Sequence, residues 1–126
     1  MGWTTYRQIM EELSPGQWVY DSLQSYVITH RDCAQDSNVT FVSEDPCTLV
    51  NGLKQKDGKD IWVCGGADIV HQLMQNNLID IYSISIIPTI LGNGIRLFDV
   101  IDKTIDLRFI SSKSSNGIVE LVYQKR

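Results

Sequence analysis

A pair of adjacent glycines, Gly65 and Gly66, is the part of this sequence that could carry chemistry. The pair follows a short apolar run, Ile61–Cys64, and precedes Ile69–Met74, in which apolar residues recur at helical spacing. This pattern predicts a buried strand, a tight turn and a helix, because both faces of the first run are apolar. Such a turn points backbone N–H groups and the positive end of the helix at whatever lies beyond the strand, commonly a nucleotide phosphate.

Taken alone, the glycine pair is a weak indication of ligand binding. Paired glycines mark turns generally, so tight packing is the more common explanation. The Gly-x-Gly-x-x-Gly fingerprint of dinucleotide-binding folds and the P-loop pattern are both absent from the sequence. The pair is therefore compatible with a structural role and with a ligand-binding role.

The composition is that of one globular domain. The chain has 126 residues, of which 43% are hydrophobic and 21% charged, and its formal net charge is −4. Lysine and arginine are scattered, which argues against a nucleic-acid partner, and no apolar stretch approaches the ~20 residues of a membrane span. Three cysteines without a Cys-x-x-Cys pair, and no secretory signal, predict a reduced, cytoplasmic location. No side chains have zinc-ligand spacing, so no metal site is expected.

The elements follow in the order helix, two strands, helix, strand, helix, strand and a final hairpin. The predicted ranges are a helix over 6–13, strands over 25–30 and 39–42, a helix opened by Asp45 and Pro46, a strand over 61–64, a helix ending near 76–77, and strands over 79–88, 105–111 and 118–124. Asn116-Gly117 predicts the hairpin turn, and Thr5 with Gln8 has capping-box spacing. Strands joined by helices predict an α/β fold, with one mainly parallel sheet and an antiparallel edge, in a single domain over residues 1–126.

Four segments in the same order give the whole chain a resemblance to the dihydrofolate reductase-like superfamily. Met1–Tyr6 is similar to its Met-Gly-basic-x-Thr-aromatic segment, Val27–Arg31 to a strand that ends in Ser/Thr-Arg, and Asp60–Ala67 to a strand followed by Gly-Gly-Ala. Pro88–Phe98 resembles the Pro-x-x-Leu-Gly-x-Gly-x-x-Leu-Phe run of the bacterial branch. That branch includes the reductase domain of the bifunctional riboflavin-biosynthesis deaminase/reductase.

The resemblance implies a three-layer α/β/α sandwich that binds NADPH at the carboxyl ends of its strands. It also implies hydride transfer to a small-molecule substrate of the pterin or pyrimidine type. Three groups of residues would surround the cofactor: Gly2, Thr4 and Thr5; Thr29, His30 and Arg31; and Gly65, Gly66, Ala67 and Asp68. The first group would meet phosphates, and the second would surround the adenosine 2′-phosphate, since an arginine fork there favours NADP over NAD. The third group would allow close approach of the cofactor backbone and the nicotinamide.

Several of these residues also have a purely structural explanation. Thr4 and Thr5 can act only as helix caps. Arg31 can be a solvated charge paired with the neighbouring Asp32. A histidine on the helix after the glycines, His71, is more typical of a polar helix face than of a ligand or base.

The sequence departs from the family at two places. Trp3 stands where the family usually has a basic residue, which predicts a loss of about 1–3 kcal/mol in phosphate binding. The family segment with the first central strand and the acidic residue that assists substrate protonation has no counterpart here, so no catalytic acid is assigned. The strands expected to flank that gap, 60–64 and 81–88, would close together, pair with another chain or stay exposed.

Three possibilities follow from the missing strand. The gene product can be longer, or a second copy of the chain can complete the sheet in a homodimer. Alternatively, the chain is a remnant that folds differently around the gap and no longer catalyses. Besides the reductase, the functions that remain open are a non-catalytic NADP-binding subunit that needs a partner chain and a structural remnant without a ligand.

Overall fold

The computed structural model describes all residues from Met1 to Arg126. In chain order its elements are α1 (Trp3–Gln8), a π-helical segment (Ile9–Leu13), β1 (Ser25–Ile28), β2 (Val39–Val42), α2 (Pro46–Lys54), α3 (Ala67–Gln75), β3 (Ile81–Ile86), β4 (Leu107–Ser115) and β5 (Ile118–Lys125). This order confirms the predicted α/β class. None of the helices has the length and apolar character needed to cross a membrane.

The strands form two sheets, so the prediction of a single, mainly parallel sheet is wrong. β1 and β2 form a parallel pair in which Val27 lies opposite Phe41. β3, β5 and β4 form a second, antiparallel sheet with β5 in the middle. Parallel and antiparallel pairing are therefore both present, as predicted, but in separate sheets.

The hairpin turn predicted at Asn116-Gly117 is confirmed. Asn116 and Gly117 have φ values of 52° and 78°. Both values lie in the left-handed region that the tight turns of two-residue hairpins require, and asparagine and glycine tolerate that region best. The first strand of the hairpin, β4, runs to the turn itself, with a bulge between Phe109 and Ser111.

The predicted central strand Ile61–Cys64 does not form. None of its backbone N–H or C=O groups makes a backbone hydrogen bond, because no strand lies in register beside it. Its side chains are only partly covered: Val63 packs on the core, whereas Trp62 is 62% exposed. In the antiparallel sheet, β3 pairs only with β5 and keeps one open edge. Within the single chain the two segments do not pair with each other, and both keep exposed residues.

Of the two predicted helix caps, the one at α1 is wrong and the one at α2 is confirmed. α1 begins at Trp3, with Gly2 as an extended N-cap and no side-chain cap hydrogen bond, so the predicted capping box of Thr5 is not formed. α2 begins as predicted: one carboxylate oxygen of Asp45 accepts from the N–H groups of Cys47 and Thr48, at 2.9 and 3.0 Å.

The buried core is small and lies between α2 and α3. Val50, Ile69 and Leu73 are buried together, and Ile28 and Val63 pack against them. Only 12 of the 126 residues are buried, so much apolar surface remains in water. The segment after β3 shows this most clearly, since Ile90 and Ile95 are 99% and 91% exposed.

Amide hydrogen exchange tests the open segment directly. Because the amides of Ile61–Cys64 lack backbone acceptors, we expect them to exchange on the order of 100-fold faster than amides of β5, which has a partner on both edges. Residue-resolved exchange measured by NMR provides the comparison, with β5 as the internal control. Equal protection of the two segments would show that Ile61–Cys64 is paired in solution.

Candidate functional site

A backbone junction at Gly2 brings the predicted site segments together. The Gly2 N–H donates to the Gly65 carbonyl at 2.9 Å, and Gly2 forms a parallel bridge with Ile28 at the end of β1. The Ile28 N–H donates to the Met1 carbonyl, also at 2.9 Å. The start of α1, the end of β1 and the glycine turn before α3 therefore meet at one point.

The glycine turn has a conformation that glycine accommodates best. Gly65 has a φ of 116°, and the peptide bond between Gly65 and Gly66 is cis. The Thr5 side chain lies beside the turn: a methyl group added to Gly66 would sit 3.4 Å from the Thr5 hydroxyl oxygen. Thr5 and both glycines thus share one surface, whereas Thr4 is exposed and makes no side-chain hydrogen bond.

The turn leads into α3, whose first amides are free. The N–H groups of Ala67, Asp68 and Ile69 have no acceptor in the protein; the first bond of the helix runs from the Val70 N–H to the Gly66 carbonyl. The Asp68 carboxylate accepts from the side-chain amide of Gln72 at 2.8 Å. Its negative charge suits the positive end of the helix.

The end of β1 positions Thr29, His30 and Arg31, the residues expected around the 2′-phosphate. Thr29 is buried, and its hydroxyl oxygen accepts from the Arg31 N–H at 3.1 Å, which fixes the turn after the strand. His30 is exposed. The Arg31 guanidinium lies over the Trp3 ring, 5.3 Å from its centroid, and forms no ion pair, so the predicted alternative of a pair with Asp32 is not observed.

A cavity of about 310 Å³ opens at the start of α3. It is lined by Ala67, Asp68, His71, Ile95, Arg96 and Asp99. The Nδ1 atom of His71 is buried there without a hydrogen-bond partner, and the Arg96 guanidinium forms no ion pair. Sequence reasoning assigned His71 to a polar helix face and did not single out Arg96 or Asp99. The available signal for Arg96 and Asp99 was their position in and directly after the Pro88–Phe98 run.

Burial shifts the pKa values of two ionisable groups near the junction. It lowers the pKa of the Met1 amine, which donates to the Tyr26 carbonyl at 2.9 Å. It also raises the pKa of Tyr20, whose hydroxyl lies 4.0 Å from the Cys64 sulfur, and the neighbouring thiol adds to that shift. A buried amine favours its neutral form and a buried phenol keeps its proton, so burial suppresses charge at both groups.

Comparison with known proteins gives consistent matches along the chain. Residues 7–119 match the RibD C-terminal domain family. Two proteins of Bacillus subtilis (strain 168), both described as uncharacterized, are similar. YwjB is 36% identical over 124 residues, 98% of this chain and 70% of its own length. YyaP is 33% identical over 103 residues, 81% of this chain and 55% of its own length.

A solved structure has the same fold. It is a crystal structure of a protein from Shewanella sp. PV-4 that is provisionally assigned to riboflavin biosynthesis. The TM-score is 0.84 at 19% identity, and the match covers 100% of this chain and 72% of the other. At this identity the comparison concerns the fold alone.

A matched pair of glycine substitutions tests the conformation of the turn. Gly65→Ala should lower the free energy of unfolding by about 1–3 kcal/mol, because a side chain strains a residue with a φ of 116°. Gly52→Ala, in the exposed part of α2 with open space around it, should raise the free energy of unfolding by about 0.4–1 kcal/mol. Chemical denaturation of both variants gives the comparison; a neutral Gly65→Ala would contradict the conformation of the turn.

Proposed function

Because this chain belongs to the RibD C-terminal domain family, we propose that it is an NADPH-dependent reductase domain acting on a pterin- or pyrimidine-type substrate. The observation that carries the proposal is the junction at Gly2. It gathers Thr5, the Gly65-Gly66 turn and the free amides of α3 beside the strand end that carries Arg31. A dinucleotide needs polar donors for its phosphates and a place where the backbone can be approached closely, and these residues offer both.

The chemistry of the donor set fits NADPH. The Arg31 guanidinium has no carboxylate partner, so its N–H groups remain available to the 2′-phosphate. The Thr5 hydroxyl and the amides of Ala67 and Asp68 would bind other polar groups of the cofactor. Gly65 and Gly66 would leave room for close approach. When bound, NADPH supplies a hydride from its nicotinamide ring.

The cavity beside α3 is the proposed substrate end. Asp68 and Asp99 offer carboxylate acceptors, and Arg96 offers donors, within one lining. Two carboxylates would repel a phosphate, whereas a neutral heterocycle with amino and carbonyl groups can bond to both kinds of side chain. This combination favours a pterin or pyrimidine ring, and the chain's residues would hold and orient that ring.

A second candidate is an NADP-binding subunit that needs a partner. It is favoured by the unpaired segment Ile61–Cys64 and by the open edge of β3, which together could accept a further strand. In this proposal a second copy of the chain pairs with the open edges. It would thereby take the place of the first central strand in a three-layer α/β/α sandwich. For both candidates we propose a cytoplasmic location, which suits three cysteines that are all free thiols.

Binding of NADPH is the first test of both candidates. Calorimetric titration of the chain should show a complex with NADPH and a weaker one with NADH. Arg31→Ala should weaken NADPH binding about ten- to a hundredfold and leave NADH within twofold, since only NADPH carries the 2′-phosphate. The control is Arg108→Ala on β4, where the side chain bonds to Gln124. Equal losses of affinity for NADPH and NADH would contradict the assignment of Arg31 to the 2′-phosphate.

Substrate turnover tests the role of the cavity. With a pterin or pyrimidine compound that supports NADPH oxidation, Arg96→Gln should raise KM about tenfold while the Kd of NADPH stays constant. Arg108→Gln serves as the matched surface control. A parallel rise of KM and of the Kd of NADPH would place Arg96 at the cofactor instead.

Sedimentation separates the reductase from the partner-dependent subunit. The partner proposal predicts NADPH binding without turnover in the isolated chain, together with a sedimentation coefficient that rises with protein concentration. A monomer at every concentration that still oxidises NADPH with substrate would contradict it.

A further inference from the structure

The Arg31 side chain is held by an aromatic ring instead of a carboxylate. Its guanidinium carbon lies 5.3 Å from the Trp3 ring centroid, within the distance at which a cation and an aromatic face attract. Arg31 is exposed, and its guanidinium makes no hydrogen bond and no ion pair within residues 1–126. The positive charge is therefore positioned by the protein without being neutralised.

The backbone brings the two side chains together. Trp3 directly follows Gly2, which bridges to Ile28, and Arg31 follows the same strand by three residues. The hydrogen bond from the Arg31 N–H to the Thr29 hydroxyl fixes the path of the chain after β1. Trp3 thus begins α1 beside the end of β1, and Arg31 lies just beyond that strand end.

The Trp3 ring is itself supported by other aromatic residues. The ring centroids of Tyr6 and Phe41 lie 5.6 and 6.4 Å from that of Trp3. Tyr6 in turn contacts Phe41 edge-on at 5.3 Å. A ring packed in this way can act as a platform for a mobile side chain, because its own position is already set.

A cation–π contact leaves the arginine able to bind an anion. A guanidinium is planar: its face can meet an aromatic ring while its five N–H donors lie in the plane around the edge. A salt bridge with a carboxylate would occupy those donors and cancel the charge, whereas the ring does neither. Ordering the side chain in advance also reduces the conformational entropy that binding would otherwise cost.

We propose that Trp3 is a positioning residue that holds Arg31 for the 2′-phosphate of the cofactor, and so strengthens the preference for NADPH over NADH. The inference rests on the proposed NADPH-binding function. It reverses the expectation from the sequence that Trp3 only weakens the phosphate site. The tryptophan instead positions Arg31 at that end of the site.

The test compares the binding of NADPH and NADH by Trp3 variants. Trp3→Leu should raise the Kd of NADPH about two- to fivefold, the range expected for an exposed cation–aromatic contact, with little change for NADH. Trp3→Tyr should restore part of the preference. In the Arg31→Ala background, Trp3→Leu should have no further effect on the ratio of the two Kd values.

The matched control is Trp18→Leu. Trp18 belongs to the same aromatic cluster, with its ring centroid 5.4 Å from that of Tyr6, but the cation–π contact of Arg31 is with Trp3. Loss of Trp18 should therefore disturb packing without changing the ratio of NADPH to NADH affinity. If Trp3→Leu does not fold, Trp3→Phe tests the same contact, because phenylalanine keeps an aromatic ring for packing but offers the cation a weaker face than tryptophan.

An NMR measurement separates the geometry from the function. In the wild-type chain the Arg31 side-chain protons should show an upfield ring-current shift that Trp3→Leu removes. A shift with an unchanged ratio of affinities would overturn the proposal while leaving NADPH binding intact, and so would the absence of a shift. A wild-type chain that binds no NADPH would overturn the proposed function and this inference together.

Discussion

The hydrogen bond between the Gly2 N–H and the Gly65 carbonyl is the contact on which the candidate site depends. It joins the start of α1 to the glycine turn, and the bridge from Gly2 to Ile28 adds the end of β1. All of these contacts are between backbone groups, so they follow from the path of the chain. A methyl group added to Gly2 would lie 3.5 Å from Ile69, which is an ordinary contact distance. The junction therefore does not require glycine at position 2 for steric reasons.

Charge is distributed unevenly around this junction. On one side Arg31 presents a cation without a nearby carboxylate partner. On the other, the cavity beside α3 combines Arg96 with Asp68 and Asp99. A ligand with phosphate at one end and a neutral ring at the other would match this division. The net charge of −4 describes the whole surface and gives no indication of this local arrangement.

The open segment Ile61–Cys64 shows how the protein accommodates an apolar run that belongs to neither sheet. Its backbone groups are unpaired but partly exposed, so water can satisfy them at small cost. Side chains hold the segment in place: Val63 packs on the core, and Trp62 meets Tyr20 edge-on at 5.2 Å. The core between α2 and α3 thereby reaches the glycine turn without a central strand.

Local signals in the sequence determined the parts of the fold that depend on neighbouring residues. Asp45 predicted the start of α2, Asn116-Gly117 predicted the hairpin turn, and apolar spacing predicted α3, because caps, turns and helical stripes involve residues close in the chain. The four motif segments, in their order along the chain, also indicated the family that residues 7–119 match.

Tertiary structure decided which segments pair and which side chains meet. The apolar run at 61–64 has the pattern of a strand, yet a strand forms only where a partner lies in register, and no backbone hydrogen bond pairs this run with another segment. From the sequence, Trp3 was likewise expected only to weaken phosphate binding, because it replaces the basic residue usual in the family. Only the folded chain places its ring under Arg31, because the two residues are far apart in the sequence and the bridge between Gly2 and Ile28 brings them together.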